Sequence, residues 1–135
     1  MKYLLDTCTI SELIKLAPNP SVKAWFNDQA DVDLCLSVVT IGEIRKGIEA
    51  ARPRNLSAAL RYESWLDELI RHYADRILPL DEPAAQVWGK FMVLVPNSGV
   101  EDAMIAAIAA ANGMGVATRN VSDFTPFGIP VFDPF

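Results

Sequence analysis

The feature that most constrains the fold is a three-residue apolar run, Tyr3-Leu4-Leu5, that stops on Asp6 and gives way at once to helix-forming sequence. The run is too short for a helix core and too continuous for a strand with one wet face. It predicts a strand buried on both sides, as in a parallel sheet covered by helices. Asp6 then stands at the strand's carboxyl end, the edge of an open α/β sheet where ligands bind. Thr9-Ile10-Ser11-Glu12 fits a capping box, a hydroxyl residue with Glu three positions on, and predicts the next helix start.

Strand and helix signals alternate along the rest of the chain. Ile10, Leu13, Ile14 and Leu16 predict a short amphipathic helix ended by Pro18 and Pro20; Val22, Trp25 and Phe26 predict a second within 21–28. Residues 34–39 read as a second buried strand. Thr40-Ile41-Gly42-Glu43 reads as the capping box of a helix burying Ile41, Ile44 and Ile48. Gly47 lies one turn after Glu43 on the same side and costs that helix about 1 kcal/mol against Ala, which suggests room kept beside Glu43 for a ligand or another chain. Pro53 breaks the helix, and a longer one to about Tyr73 carries Ala59, Tyr62, Leu66 and Leu69 on one side. Residues 76–80 predict a third strand that Pro79 assigns to an edge or an end. A helix over 82–94 follows, with Ala84, Val87, Trp88 and Phe91 inward.

Ala103 to Ala111 carries no charged side chain, so this helix is expected at the centre of the molecule. Ser98-Gly99-Val100-Glu101-Asp102 opens it and Asn112-Gly113 stops it. Residues 116–118 predict a fourth strand, 119–128 a loop and 129–132 a last strand. The alternation predicts an α/β fold with a mostly parallel sheet, right-handed crossovers and helices on both faces. The length, 135 residues, suits a single domain spanning 1–135.

Composition narrows the function. No apolar run approaches the ~20 residues of a membrane span, and no signal-peptide pattern opens the chain, so a cytoplasmic protein with no membrane contact is expected. A net charge of −5 argues against simple nucleic-acid binding. It leaves room for a nuclease whose acids hold metal while a local basic strip, Arg45-Lys46, Arg52, Arg54 and Arg61, meets phosphates. The same strip also reads as a solvated helix face. Cys8 and Cys35 lie outside any C-x-x-C pair and read as buried free thiols. His72, the only histidine, leaves no Ser-His-Asp or Cys-His machinery and is expected at a helix C-terminus.

Four acids occupy comparable places in the order of elements: Asp6 after the first strand, Glu43 in the first turn after the second, Asp102 in the first turn of the apolar helix, and Asp123 in the loop after the fourth strand. They are expected to gather on one edge of the sheet. Clustered carboxylates repel unless they share protons or bind a cation, and oxygen-only ligands favour Mg²⁺ or Mn²⁺. Such a site suits metal-dependent hydrolysis of a phosphodiester. Each acid has an ordinary alternative: Glu43 and Glu101 as third members of capping boxes, Asp123 as a turn residue. Asp102, heading a buried helix, and Asp6, closing a buried strand, are harder to explain without a partner.

In this order the residues resemble the PIN-domain family, specifically the VapC-type toxin ribonucleases of bacterial toxin-antitoxin pairs. The resemblance rests on Leu4-Leu5-Asp6-Thr7 with Ile10-Ser11-Glu12, on Ser37 with Thr40-Ile41-Gly42-Glu43-Ile44 and Gly47, on Asp102-Ala103-Met104-Ile105-Ala106-Ala107, and on Thr118-Arg119-Asn120 with Asp123-Phe124. It implies a three-layer α/β/α fold, Mg²⁺- or Mn²⁺-dependent endoribonuclease activity on RNA, a homodimer, and inhibition by a small cognate antitoxin. On matching positions it implies Asp6, Asp102, Glu43 and Asp123 as metal ligands and catalytic acids, with Thr7, Thr118 and Asn120 as supporting polar residues. Cys8 stands where many relatives have Asn, the segment 92–99 is short before Asp102, and some relatives carry the fourth acid at the position of Asn120.

Two other strand-end Asp chemistries fit less well. A haloacid-dehalogenase-like phosphatase needs a second Asp where this chain has Cys8, and a receiver domain needs adjacent acids after its first strand and a Lys after its last. The alternative from another class is a catalytically inactive PIN-like binding module that acts through protein partners.

Overall fold

Leu4 and Leu5 are both fully buried, and they face opposite sides of the sheet. This follows from the period-2 alternation of a strand with cover on both faces. The computed structural model describes all 135 residues, and its five strands are β1 (Tyr3–Leu5), β2 (Leu34–Ser37), β3 (Ile77–Leu78), β4 (Gly115–Ala117) and β5 (Val131–Phe132). Every pairing is parallel, in the order β3-β2-β1-β4-β5. Pro79 follows β3, an edge strand, as its missing N–H requires.

The helices are α1 (Thr7–Glu12), α2 (Pro20–Asp28), α3 (Val38–Ala51), α4 (Leu56–His72), α5 (Glu82–Leu94), α6 (Val100–Ala111) and α7 (Val121–Phe124). Leu5, Leu36 and Ala117 meet Ile44, Ile48, Leu66 and Leu69 of α3 and α4 on one face. Leu4, Cys35 and Val116 meet Ile105, Ile108 and Phe124 of α6 and α7 on the other. The result is the three-layer α/β/α fold with a parallel sheet. The expected central helix is α6: Ala103 and Ile105 through Ala109 are fully buried. It stops where Gly113 takes φ 66°, a left-handed backbone that glycine adopts without a Cβ penalty.

Several expectations are corrected, and hydroxyl side chains explain most of them. Thr9 does not open the first helix; Asp6 does, its carboxylate accepting from the Thr7 N–H, while the buried Thr9 hydroxyl donates to the Ala117 carbonyl. That helix ends at Glu12, and Leu16 is 98% exposed. The second strand ends at Ser37, whose side chain caps α3 by accepting from the Thr40 N–H at 3.1 Å. Glu43 therefore lies in the second turn of α3, outside any capping box. Ser98 makes no cap hydrogen bond either, because α6 is headed by Gly99. The span 119–128 is not all loop: it holds α7 and a 3₁₀ turn over Thr125–Phe127.

The basic strip is divided. Arg45 and Arg52 both pair with Glu49 and Glu63, tying α3 to α4. Lys46, Arg54 and Arg61 enter no such pair. His72 sits in the last turn of α4 as expected, and no helix is long and apolar enough to cross a membrane.

Candidate active site

The strand order creates the site. From β1 the chain builds outward through β2 and β3, then returns to add β4 and β5 on the other side of β1. The reversal lies between β1 and β4, and such a switch point opens a crevice at the carboxyl ends of the strands. Asp6 ends β1 and Thr118 follows β4, and the Thr118 hydroxyl donates across the crevice to Asp6 Oδ2 at 2.8 Å. Asp6 is only 6% exposed. Its other oxygen accepts from the Thr7 N–H at 2.8 Å, so the buried carboxylate has the partners a buried charge requires.

Thr7 carries the network onward. Its hydroxyl donates to Glu43 Oε1 at 2.9 Å, linking the acid after β1 to the acid on α3. Thr118 in turn accepts from the Asn120 N–H at 3.0 Å, which fixes the turn leading to Asp123. Cys8 Sγ stands 3.6 Å from both Asp6 Oδ2 and Thr118 Oγ1. Both cysteines are free, Cys35 buried and Cys8 half-buried.

Asp102 is the acid most altered by this neighbourhood. Its pKa is pushed from 3.8 up to about 6, first by burial and then by the negative charges of Asp6, Asp123, Glu43 and Glu101. Glu43 is also raised, first by burial; the Thr7 hydrogen bond opposes the rise, and Asp6 and Glu101 add to it. The other three predicted acids thus act on the half-buried carboxylate of Asp102. Even so, no three of these side chains already stand in a ready ligand group. Mutual repulsion of uncompensated carboxylates is the physical reason to expect such a spread. The donors fit a hard divalent ion in type and in charge, since all are carboxylate oxygens and no imidazole accompanies them.

This repulsion has a measurable consequence. A folded-state pKa above the unfolded value means that folding favours the protonated acid, so stability falls as pH rises from about 4 through 6. The nominal size is about 3 kcal/mol, and solvent screening of a half-exposed group reduces it to on the order of 1 kcal/mol. Urea denaturation in EDTA is expected to find Asp102→Asn more stable than the parent by that amount at pH 7.5 and no different at pH 3.5. A loss of several kcal/mol in the variant would show that Asp102 has a structural partner instead.

The sequence pattern described as the PIN domain matches residues 3–124. The chain belongs to the PIN domain family. It is 35% identical to the VapC ribonuclease Y4jK of Sinorhizobium fredii, covering 98% of this chain and 96% of that one. It is 33% identical to toxin FitB of Neisseria gonorrhoeae, covering 98% and 97%. The crystal structure of FitAcB from Neisseria gonorrhoeae superposes with a TM-score of 0.87 at 32% identity, covering 98% of this chain and 97% of that one.

Within this PIN domain the structure also places residues that sequence reasoning left out. A cavity of about 260 Å³ opens beside Thr7 and Glu43, between α1, α3 and α4, and Ser11, Gly47, Tyr62 and Trp65 line it. Gly47 does keep room beside Glu43: nothing stands within 4 Å of where its Cβ would be. Trp65 was unmarked because its partners come from α1 and α3; its three-residue spacing from Tyr62 was the available signal.

Proposed function

We propose that this PIN domain, acting as a single domain over residues 1–135, is the toxin of a bacterial toxin-antitoxin pair, an endoribonuclease that hydrolyses RNA phosphodiesters with Mg²⁺ or Mn²⁺. The observation that carries the reading is the hydrogen-bonded line of Thr118, Asp6, Thr7 and Glu43 at the β1–β4 switch point, near enough to Asp102 for Asp6, Asp123 and Glu43 to help raise its pKa. A cluster of that charge calls for a cation. The ribonuclease and toxin names of relatives at 35% and 33% identity support the same conclusion.

In this reading Asp6, Asp102, Glu43 and Asp123 would hold the ion, Asp6 and Asp102 foremost. The chemistry that such an ion supplies is activation of water and neutralisation of charge on the phosphodiester. The chain's own part is orientation. Thr118 and the Thr7 N–H hold both Asp6 oxygens, the Thr7 hydroxyl aims Glu43, and Asn120, through its N–H on Thr118, steadies the turn before Asp123. No histidine is near to serve as base, so proton removal falls to water or to the carboxylates.

A small antitoxin is the expected inhibitor, and its Arg or Lys would complement the acidic cleft. The exposed apolar pair Val93 and Leu94 at the end of α5 supports a homodimer. The reaction is expected to be cytoplasmic, where RNA and the antitoxin are made. Incubation of the purified protein with single-stranded RNA should give cleavage in Mg²⁺ or Mn²⁺ and none in EDTA. Cleavage that survives EDTA removes the metal from the reading, and no cleavage under any condition favours a binding module that keeps the fold alone.

A further inference from the structure

We propose that Arg119 is a phosphate-binding residue at the rim of the acid site, held in place for the RNA backbone by the ring of Phe135. The inference rests on the nuclease reading above and adds a substrate contact to it.

The sheet puts both residues on the reacting edge. β4 and β5 run parallel, so the chain leaving each of them emerges at the carboxyl edge that carries Asp6. Just past β4 the Thr118 N–H still donates to the Phe132 carbonyl at 2.9 Å, which ties the two exits together. Thr118 is bonded to Asp6 Oδ2 and accepts from the Asn120 N–H, so the backbone is fixed on both sides of Arg119. After β5 the Phe135 N–H donates to Asp133 Oδ1 at 2.9 Å, a local turn. The Arg119 guanidinium then lies 4.1 Å from the Phe135 ring centroid.

This stack leaves the guanidinium free to bind. The ring covers its face, while the in-plane N–H groups are the edges that pair with phosphate oxygens. Arg119 is exposed and enters no ion pair. Arg45 and Arg52, by contrast, are committed to Glu49 and Glu63. Lys46 also enters no ion pair, but it lines a cavity with Glu43 and Glu101, and those two carboxylates offset its charge. Stacking orders the long Arg119 side chain before a ligand arrives, which lowers the entropic cost of binding.

Charge points to phosphate as the ligand. The chain carries a net charge of −5, and four carboxylates at this edge exceed what one divalent ion neutralises. A polyanionic backbone crossing the edge therefore gains from a fixed cation at the rim.

Binding is read by the anisotropy of a short labelled single-stranded RNA on the Asp6→Asn chain in Mg²⁺, titrated with KCl. Adding Arg119→Gln should weaken binding about 10-fold, the scale of one lost charge-assisted hydrogen bond. It should also reduce the slope of log affinity against log salt by about 0.7, the value for one single-strand phosphate contact. Arg119→Lys should keep the slope. Phe135→Leu should weaken binding about 2- to 5-fold at an unchanged slope, the scale of an exposed cation–π contact, and Phe135→Tyr should restore it. In the chain with Asp6 intact, Arg119→Gln should raise KM with kcat little changed, because a backbone contact is made alike in the ground and transition states.

A purely structural role would lower the melting temperature and kcat and leave the salt slope alone. That result, or an unchanged slope with unchanged affinity, overturns the proposal. A chain that binds RNA through Arg119 and never cleaves it keeps the phosphate contact and loses the nuclease reading. If Arg119→Gln leaves RNA binding intact and instead frees the chain from a co-expressed antitoxin, the guanidinium serves a protein carboxylate and the proposal fails.

Discussion

Asp6→Asn and Asp102→Asn are each expected to slow RNA cleavage by about 10²–10³-fold or more, the scale on which removal of one preorganised electrostatic group is felt. Neither should unfold the protein. Asn at position 6 keeps an oxygen for the Thr7 N–H and can donate to Thr118, so β1 and α1 remain joined. Asn at position 102 removes a charge that burial and four neighbouring carboxylates already oppose. Initial rates at saturating Mg²⁺, read beside far-UV circular dichroism, make the check. Full activity in either variant would show that the carboxylate is not needed and that the acids serve as caps. A rate that recovers at high Mn²⁺ concentration would instead locate the defect in metal affinity.

Phe124→Ala is expected to destabilise the chain by about 3–5 kcal/mol, the range for truncating a fully buried aromatic ring. Phe124 has no exposed surface and packs in the cluster of Leu4, Ile105, Ile108 and Val116. It also adjoins Asp123 on α7, a helix of one turn that cannot hold its shape by itself. The loss should therefore appear as a lower melting temperature, by roughly 10–20 °C for a chain of this size, and as a fall in cleavage below the melting range. A variant with unchanged melting would mean that the α7 turn is held by something other than this ring. A variant that melts early but cleaves normally when cold would separate the position of Asp123 from the packing of Phe124.

Much of this was legible in the chain because burial writes itself into short apolar runs. Leu4-Leu5 and the charge-free stretch 103–111 could be satisfied only with cover on all sides, and β1 and α6 are the result. The errors came where a hydroxyl had two possible partners. Thr9, Thr40 and Ser98 all match a capping box in sequence, yet Thr9 bonds the carbonyl of Ala117, Thr40 is itself capped by Ser37, and Ser98 caps nothing. A pattern four residues long cannot register a partner 108 residues away. The strip of cations was divided for a related reason, since the acids that occupy Arg45 and Arg52 include Glu63 from the next helix.

By itself the sequence determined the alternation of elements and the two-faced burial of the strands, and it offered the four acids as candidates for the site, because each is a property of local spacing and polarity. Only the tertiary structure decided that β4 lies beside β1, so that Thr118 reaches Asp6, and that α1, α3 and α4 leave a cavity next to Glu43. Those are outcomes of strand order and helix packing, which the whole hydrophobic core sets at once and no single stretch of chain encodes.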